Sequence, residues 1–203
     1  MIKHYEGKLG IFDYDDEEFK IDLCDDVDYH LHYIGKGLSV DLPNGCINTS
    51  YMFYNCDLPE GFTLGDKFDT SNVKDMFAMF CKCEIPEGFS LGDNFDTSNV
   101  KCMAFMFNKC IMPKDFSLGD KFDTRNVKDM SCMFFECKMP ETFSLGDKFD
   151  TSNVLGMYCM FEGCQKPKNF SLGNHFNTSN AKNMRNMFYN YGCDYMPVDS
   201  LFK

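Results

Sequence analysis

The word FDTSNV, whole or nearly so, begins at Phe68, Phe95, Phe122, Phe149 and Phe176, a constant step of 27 residues. A fixed step in the range of roughly 20 to 50 residues marks a stack of units, each burying its apolar edge only against its neighbours. The whole unit, beginning FTLGDKFDTSNV at Phe62, restarts at Phe89, Phe116, Phe143 and Phe170. Stepping back one period from Met79, Phe80 and Cys83 lands on Met52, Phe53 and Cys56, so a degenerate first turn brings the count to about six rungs. After Phe188 the register slips, and Met196, Val198, Leu201 and Phe202 are the expected lid. Three regions follow: a cap over 1–40, a repeat solenoid over 41–193 and a C-terminal cap over 194–203.

Two periodicities alternate within a unit. Phe62, Thr63 and Leu64, like their later copies, alternate apolar and polar, which predicts a three-residue strand ending at Gly65. Val73, Met76, Met79, Phe80 and Cys83 have the spacing of one helical face, and Thr70, Ser71 and Asn72 upstream are cap-type residues. The prolines at 59, 86, 113, 140 and 167 would end that helical or 3₁₀ stretch. In the cap, Phe19, Ile21 and Leu23 alternate with polar residues and Tyr29, Leu31 and Tyr33 do so again, predicting a β-hairpin. The cap also holds ten acids against four lysines, a share of -6 in the chain's net charge of -11. A solvated face explains that charge.

Twelve cysteines would suit disulfides or zinc, yet Cys56, Cys83, Cys110, Cys137 and Cys164 fall in one inward column, one per rung. A repeated buried thiol is a packing choice. Cys132 and Cys159 share an outer column and lie within bridging range in an oxidising setting, but with no export signal reduced thiols are expected. Cys81 with Cys83, and His30 with His32, are the only close ligand pairs, too few for zinc; no metal and no cofactor are expected. The methionine columns at 76, 103, 130, 157 and 184 and at 79, 106, 133, 160 and 187 read as core filler. No signal peptide, lipid-anchor motif or long apolar run is seen, so a cytoplasmic chain with no membrane contact is expected.

The segments NVKDMSCMFFEC, NVKDMFAMFCKC and NVLGMYCMFEGC resemble the N-V-x-x-M-x-x-M-F-x-x-C signature of BspA-type bacterial surface-protein repeats, a divergent branch of leucine-rich repeats. The resemblance covers about residues 45–193. It implies a leucine-rich-repeat-like solenoid: rungs of short parallel strand plus short helix or 3₁₀ turn, behind the N-terminal β-hairpin cap. It also implies adhesion or protein binding, and it carries no catalytic residues. Many of those relatives are exported, whereas this chain shows no such signal, so a surface adhesin is an alternative only if it leaves the cell.

Three function classes remain. An enzyme is the weakest, because four histidines form no triad and no phosphate loop occurs. A protein-binding scaffold is favoured, reading its partner through the columns that vary: Phe77, Ala104, Ser131, Tyr158 and Arg185; Ala78, Phe105, Cys132, Cys159 and Asn186; Cys81, Asn108, Phe135, Glu162 and Tyr189. Phe77, Phe105, Phe135, Tyr158 and Tyr189 would form its contact patch, or else tuck sideways between turns. The third class is an acidic decoy of a nucleic-acid-handling, for example host-defence, protein. Its surface would be the file Asp66, Asp93, Asp120 and Asp147 with the file Asp69, Asp96, Asp123 and Asp150. The plainer account makes the second file Asx-type turns and pairs the first with lysines. Direct nucleic-acid binding is not expected, and an incompletely capped stack would associate end to end.

Overall fold

The computed structural model describes residues 1–24, 28–35, 37–165, 167 and 170–190. The C-terminal lid expected at Met196, Val198, Leu201 and Phe202 lies outside them. The chain begins with two antiparallel hairpins. Strands β1 (Ile2–Gly7) and β2 (Gly10–Asp15) pair from Ile2 with Asp15 to Gly7 with Gly10, and β3 (Phe19–Cys24) and β4 (Asp28–Tyr33) pair from Phe19 with Tyr33 to Cys24 with Asp28. The second hairpin holds the alternating residues noted above. In the first, β1 left no such signal, because both its faces are almost wholly exposed and need not alternate. The hairpins dock on the first coil through Ile47 N–H to the Leu9 carbonyl at 2.9 Å and Tyr33 N–H to the Met52 carbonyl at 2.8 Å. Gly10, at φ 123°, permits the approach: a Cβ there would collide with the Gly45 carbonyl.

Beyond them, successive units lie on one another one period apart. Parallel bridges run Asn48 to Asp75, Cys102, Asp129, Gly156 and Asn183, and a second column runs Asp57 to Glu84, Ile111, Lys138 and Gln165. The expected rung is nevertheless overturned. Among the described residues there is no helix, and the only extended parallel pairing is β5 (Ser39–Val40) with β6 (Thr63–Leu64). The fold is therefore not a leucine-rich-repeat-like solenoid of strand plus helix. Each coil is a run of β-turns.

The backbone shows why the helix fails. Tyr51, Ala78, Phe105, Cys132, Cys159 and Asn186, one per coil, sit at φ between 52° and 61°, and Asn55, Lys82, Lys109, Glu136 and Asn190 form a second left-handed column at 51° to 61°. Left-handed residues interrupt a right-handed helix. Between them the amides alternate in direction. Met79, Cys81 and Cys83 donate to Met76, Ala78 and Phe80, three residues back, at 3.1 to 3.2 Å; Met76, Ala78, Phe80 and Lys82 donate to Cys102, Ala104, Met106 and Asn108 of the next coil at 2.7 to 3.0 Å. A helix would bond every amide internally, four residues back, and leave none for the neighbouring coil. The steps of three among Val73, Met76 and Met79 are turn spacing, which sequence alone does not separate from a helical face. The prolines likewise start turns: Phe62, Phe89 and Phe116 donate to Pro59, Pro86 and Pro113 at 3.0 to 3.3 Å.

The expected strands at Phe89, Phe116 and Phe143 dissolve for a related reason. Ser90, Ser117, Ser144 and Ser171 each accept the N–H of the glycine two residues on at 3.1 to 3.2 Å, a side-chain bond that competes with ladder pairing. In the first copy Gly65 instead donates to the Val40 carbonyl at 2.7 Å, and the short ladder survives. The stacked rings are also wider apart here. Phe62, Phe89, Phe116, Phe143 and Phe170 form a file whose measured ring steps are 6.3 to 6.4 Å, against 5.1 to 5.8 Å along the file Phe53, Phe80, Phe107, Phe134, Phe161 and Phe188 on the bridged side. A hydrogen-bonded ladder needs about 4.8 Å.

Four letters of the repeated word have a visible physical task. Its phenylalanine and valine are core, with Phe68, Phe95, Val73 and Val100 at most 1% exposed. Its asparagine amide donates to the preceding coil, as from Asn126 to the Ser98 carbonyl at 2.7 Å. Its threonine is buried and joins two coils: Thr97 Oγ1 donates to the Asp123 carbonyl at 2.9 Å and accepts the Asp123 N–H at 2.7 Å. The cysteine column does more than fill space, since Cys83, Cys110 and Cys164 donate their thiols to the carbonyls of Phe53, Phe80 and Phe134 at 2.6 Å. Thr97→Val keeps the shape but strands a buried N–H and C=O, so it should destabilise by about 1–3 kcal/mol in urea unfolding. A change indistinguishable from zero would show that these hydroxyls are dispensable.

Candidate interaction surface

Most columns expected to be exposed are not. Ala78, Ala104, Cys81, Asn108, Cys132 and Cys159 are buried, in turns whose amides bond the adjoining coil. Of the expected contact patch, Phe77, Phe105 and Phe135 are half-buried while Tyr158 and Tyr189 are exposed. Only two of the five meet: the rings of Phe77 and Phe105 lie 5.3 Å apart. Phe135, Tyr158 and Tyr189 make no ring-to-ring contact among the described residues.

The Phe77–Phe105 pair belongs to a longer strip. Tyr51 lies 5.2 Å from Phe77, Tyr54 lies 5.7 Å from Tyr51, and His30 of β4 lies 5.3 Å from Tyr51 and 5.8 Å from His32. Tyr51 and Tyr54 were not foreseen, although one further backward step of 27 residues from Ala78 and Cys81 reaches them. His30 and His32 carry no repeat signal; the hairpin's docking brings them in. Burial holds both histidines below the ordinary value, with the neighbouring His32 adding to the effect on His30, so near pH 7 this end of the strip is uncharged. Cations edge the rings. Lys82 Nζ donates to the Tyr54 hydroxyl at 3.0 Å, and Lys109 Nζ stands 5.6 Å above the Phe135 ring. The strip thus combines half-exposed aromatic faces with lysines at its margin, chemistry suited to anchoring another protein's apolar and acidic side chains.

The two acidic files differ in kind. Asp69, Asp96, Asp123 and Asp150 each accept the N–H two residues on, at 2.8 to 3.1 Å, which makes them turn-builders. The Ser71 N–H lowers the Asp69 carboxyl from its ordinary value. For Asp123, burial acts upward but is outweighed by Arg125, whose Nη2 lies 2.6 Å from Oδ2, and the net shift is downward. Asp66, Asp93, Asp120 and Asp147 are exposed, and among the described residues none is ion-paired with lysine, contrary to expectation. A groove of about 300 Å³ opens beside that file between two coils, lined by Ser117 to Asp120, Phe122 and Ser144 to Lys148.

Among the described residues no helix is long and apolar enough to cross a membrane. No curated protein and no solved structure matches the chain. Residues 47–142 and 115–194 match a family described as "Mycoplasma protein of unknown function, DUF285". These overlapping matches take in well over half of the chain, and the protein belongs to that family.

Proposed function

We propose that the chain is a non-enzymatic scaffold acting in the cytoplasm, which binds one partner protein along the strip formed by Tyr51, Tyr54, Phe77, Phe105 and the outlying Phe135, Tyr158 and Tyr189. The observation that carries this reading is the run of half-exposed rings, Tyr51, Tyr54, Phe77, Phe105 and Phe135, on turns whose residues differ from coil to coil, while the core columns hardly change. Similar coils give stiffness; differing turn residues give selectivity. Kinship with BspA-type repeats, for which protein binding and adhesion are implied, supports the same direction, and adhesion would apply to an exported form. A second reading, an acidic decoy of a nucleic-acid-handling protein, has the exposed file Asp66, Asp93, Asp120 and Asp147 in its favour. It is the weaker because the other file gives its oxygens to the backbone.

A quantitative pull-down separates the two. A partner held by the aromatic strip should be lost from Phe77→Ala/Phe105→Ala and kept by a variant with those four aspartates changed to asparagine, with binding varying little from low to high salt. Loss from the asparagine variant together with steep salt sensitivity would replace the scaffold reading by the acidic one. Retention by both variants would remove both surfaces.

A further inference from the structure

We infer that Cys132 and Cys159 form a redox clip, a disulfide between adjacent coils made by a small hydroperoxide with Glu162 as the proton acceptor. The backbone sets the pair face to face. Cys132 and Phe134 donate to the Tyr158 and Met160 carbonyls at 2.7 and 2.9 Å, which brackets Cys159 directly opposite Cys132. Neighbouring parallel chains stand about 4.8 Å apart, inside the Cα range of roughly 4.4–6.8 Å for disulfides. Both residues are left-handed, at φ 55° and 52°, so their side chains leave the backbone in the same sense. No other adjacent pair in this column is Cys–Cys: its remaining members are Tyr51, Ala78, Phe105 and Asn186.

The surroundings supply the chemistry. Glu162 closes the turn that Cys159 opens, its N–H donating to the Cys159 carbonyl at 3.1 Å, and Glu162, Tyr158 and Cys132 all act on the Cys159 thiol. Glu162 Oε2 is buried and has no hydrogen-bond partner, a free acceptor beside two thiols. Burial, reinforced by Cys159, pushes Cys132 up to about 12, and burial raises Cys159 as well, so near neutral pH a proton acceptor beside the thiols is needed. In the first step Glu162 takes the Cys159 proton, the sulfur attacks one peroxide oxygen, and the O–O bond breaks. The proton passes to the departing hydroxide as water and Cys159 becomes a sulfenic acid. In the second step Cys132 sulfur attacks Cys159 sulfur, the S–O bond breaks, and the Cys132 proton leaves with the hydroxyl as a second water. Two thiols are oxidised and one peroxide is reduced. Cys83 and Cys110, by contrast, donate their thiols to carbonyls and have no such carboxylate.

The folded full chain treated with hydrogen peroxide, then alkylated in denaturant, should lose two thiols and yield one linked peptide pair, Cys132 to Cys159, by mass spectrometry. The link should be absent from Cys132→Ser, with Cys159 then stopping at a trappable sulfenic acid. Linking should be roughly 100-fold slower in Glu162→Gln. Should Glu162→Gln not fold, Tyr158→Phe, which leaves the carboxylate in place, should link at close to the wild-type rate. The clip is overturned by equal linkage of Cys83 to Cys110, by peroxide leaving Cys132 and Cys159 unlinked, or by an unchanged rate in folded Glu162→Gln. A Tyr158→Phe rate as slow as that expected of Glu162→Gln would also refute the carboxylate as the acceptor.

Discussion

Phe107→Ala is expected to cost about 3–5 kcal/mol in urea unfolding, one of the largest losses from any single truncation in the chain. The ring is fully buried at the middle of the bridged file. It stacks on Phe80 at 5.6 Å and 4° and on Phe134 at 5.8 Å and 7°, meets Phe116 edge-on at 5.8 Å, and leans on Phe122 at 6.5 Å. Each offset or edge-on aromatic pair contributes about 0.5–1.5 kcal/mol beyond the area it buries. Truncation removes all four contacts and leaves a cavity. The walls cannot close on it, because backbone bonds such as Phe107 N–H to the Met133 carbonyl at 2.9 Å hold the coils at fixed separation. Phe107→Leu should lose less, keeping most of the volume but not the stacking. Phe135→Ala, at a half-buried ring, should change stability by less than about 1 kcal/mol. Equal losses at Phe107 and Phe135 would contradict the stacked file as the source of cohesion.

The contrast between those two rings also shows what the sequence could and could not disclose. The period of 27 residues was legible because coils that lie in register must repeat their core letters, and Phe80 over Phe107 over Phe134 is that repetition made physical. The hairpin over Phe19–Tyr33 was legible through its alternation. Local geometry was not. A three-residue step belongs equally to a turn and to a helix, and the residues that decide, Ala78, Phe105, Cys132 and Cys159, are not glycine and so give no sign of left-handed backbone. The same ambiguity spoiled part of the site. Columns that vary were taken as exposed, yet in these turns Cys159 is buried against its neighbours while Tyr158, one residue earlier, faces solvent. The Asx turns were anticipated as the plainer account of their file because aspartate followed by threonine and serine or arginine has a local, short-range meaning. The ring strip from His30 to Phe105 joins a hairpin to the first coils, and no periodicity within the repeat points across that boundary.

Ala78 offers the sharpest test of the turn geometry, since glycine and proline there should act in opposite directions. The residue sits at φ 52° and donates its N–H to the Ala104 carbonyl at 2.9 Å. Proline cannot reach positive φ and has no N–H, so Ala78→Pro breaks the turn and the inter-coil bond together. A loss of about 4 kcal/mol or more is expected, enough to abolish a single cooperative melt. A proline in a helix would also be costly, which is why glycine carries the discrimination. Within a helix Ala78→Gly would destabilise by about 1 kcal/mol. In the left-handed turn glycine relieves a Cβ clash of about 1–2 kcal/mol, against up to about 1 kcal/mol of added unfolded-state entropy, so stability should hold or rise. The methyl group lost is small, and the space it leaves beside Ala104 is too slight to reverse the sign. A melting temperature lowered by several degrees in Ala78→Gly would restore the helical rung; an unchanged or higher one, beside an unfolded Ala78→Pro, leaves only a backbone that turns left once in each coil at this point.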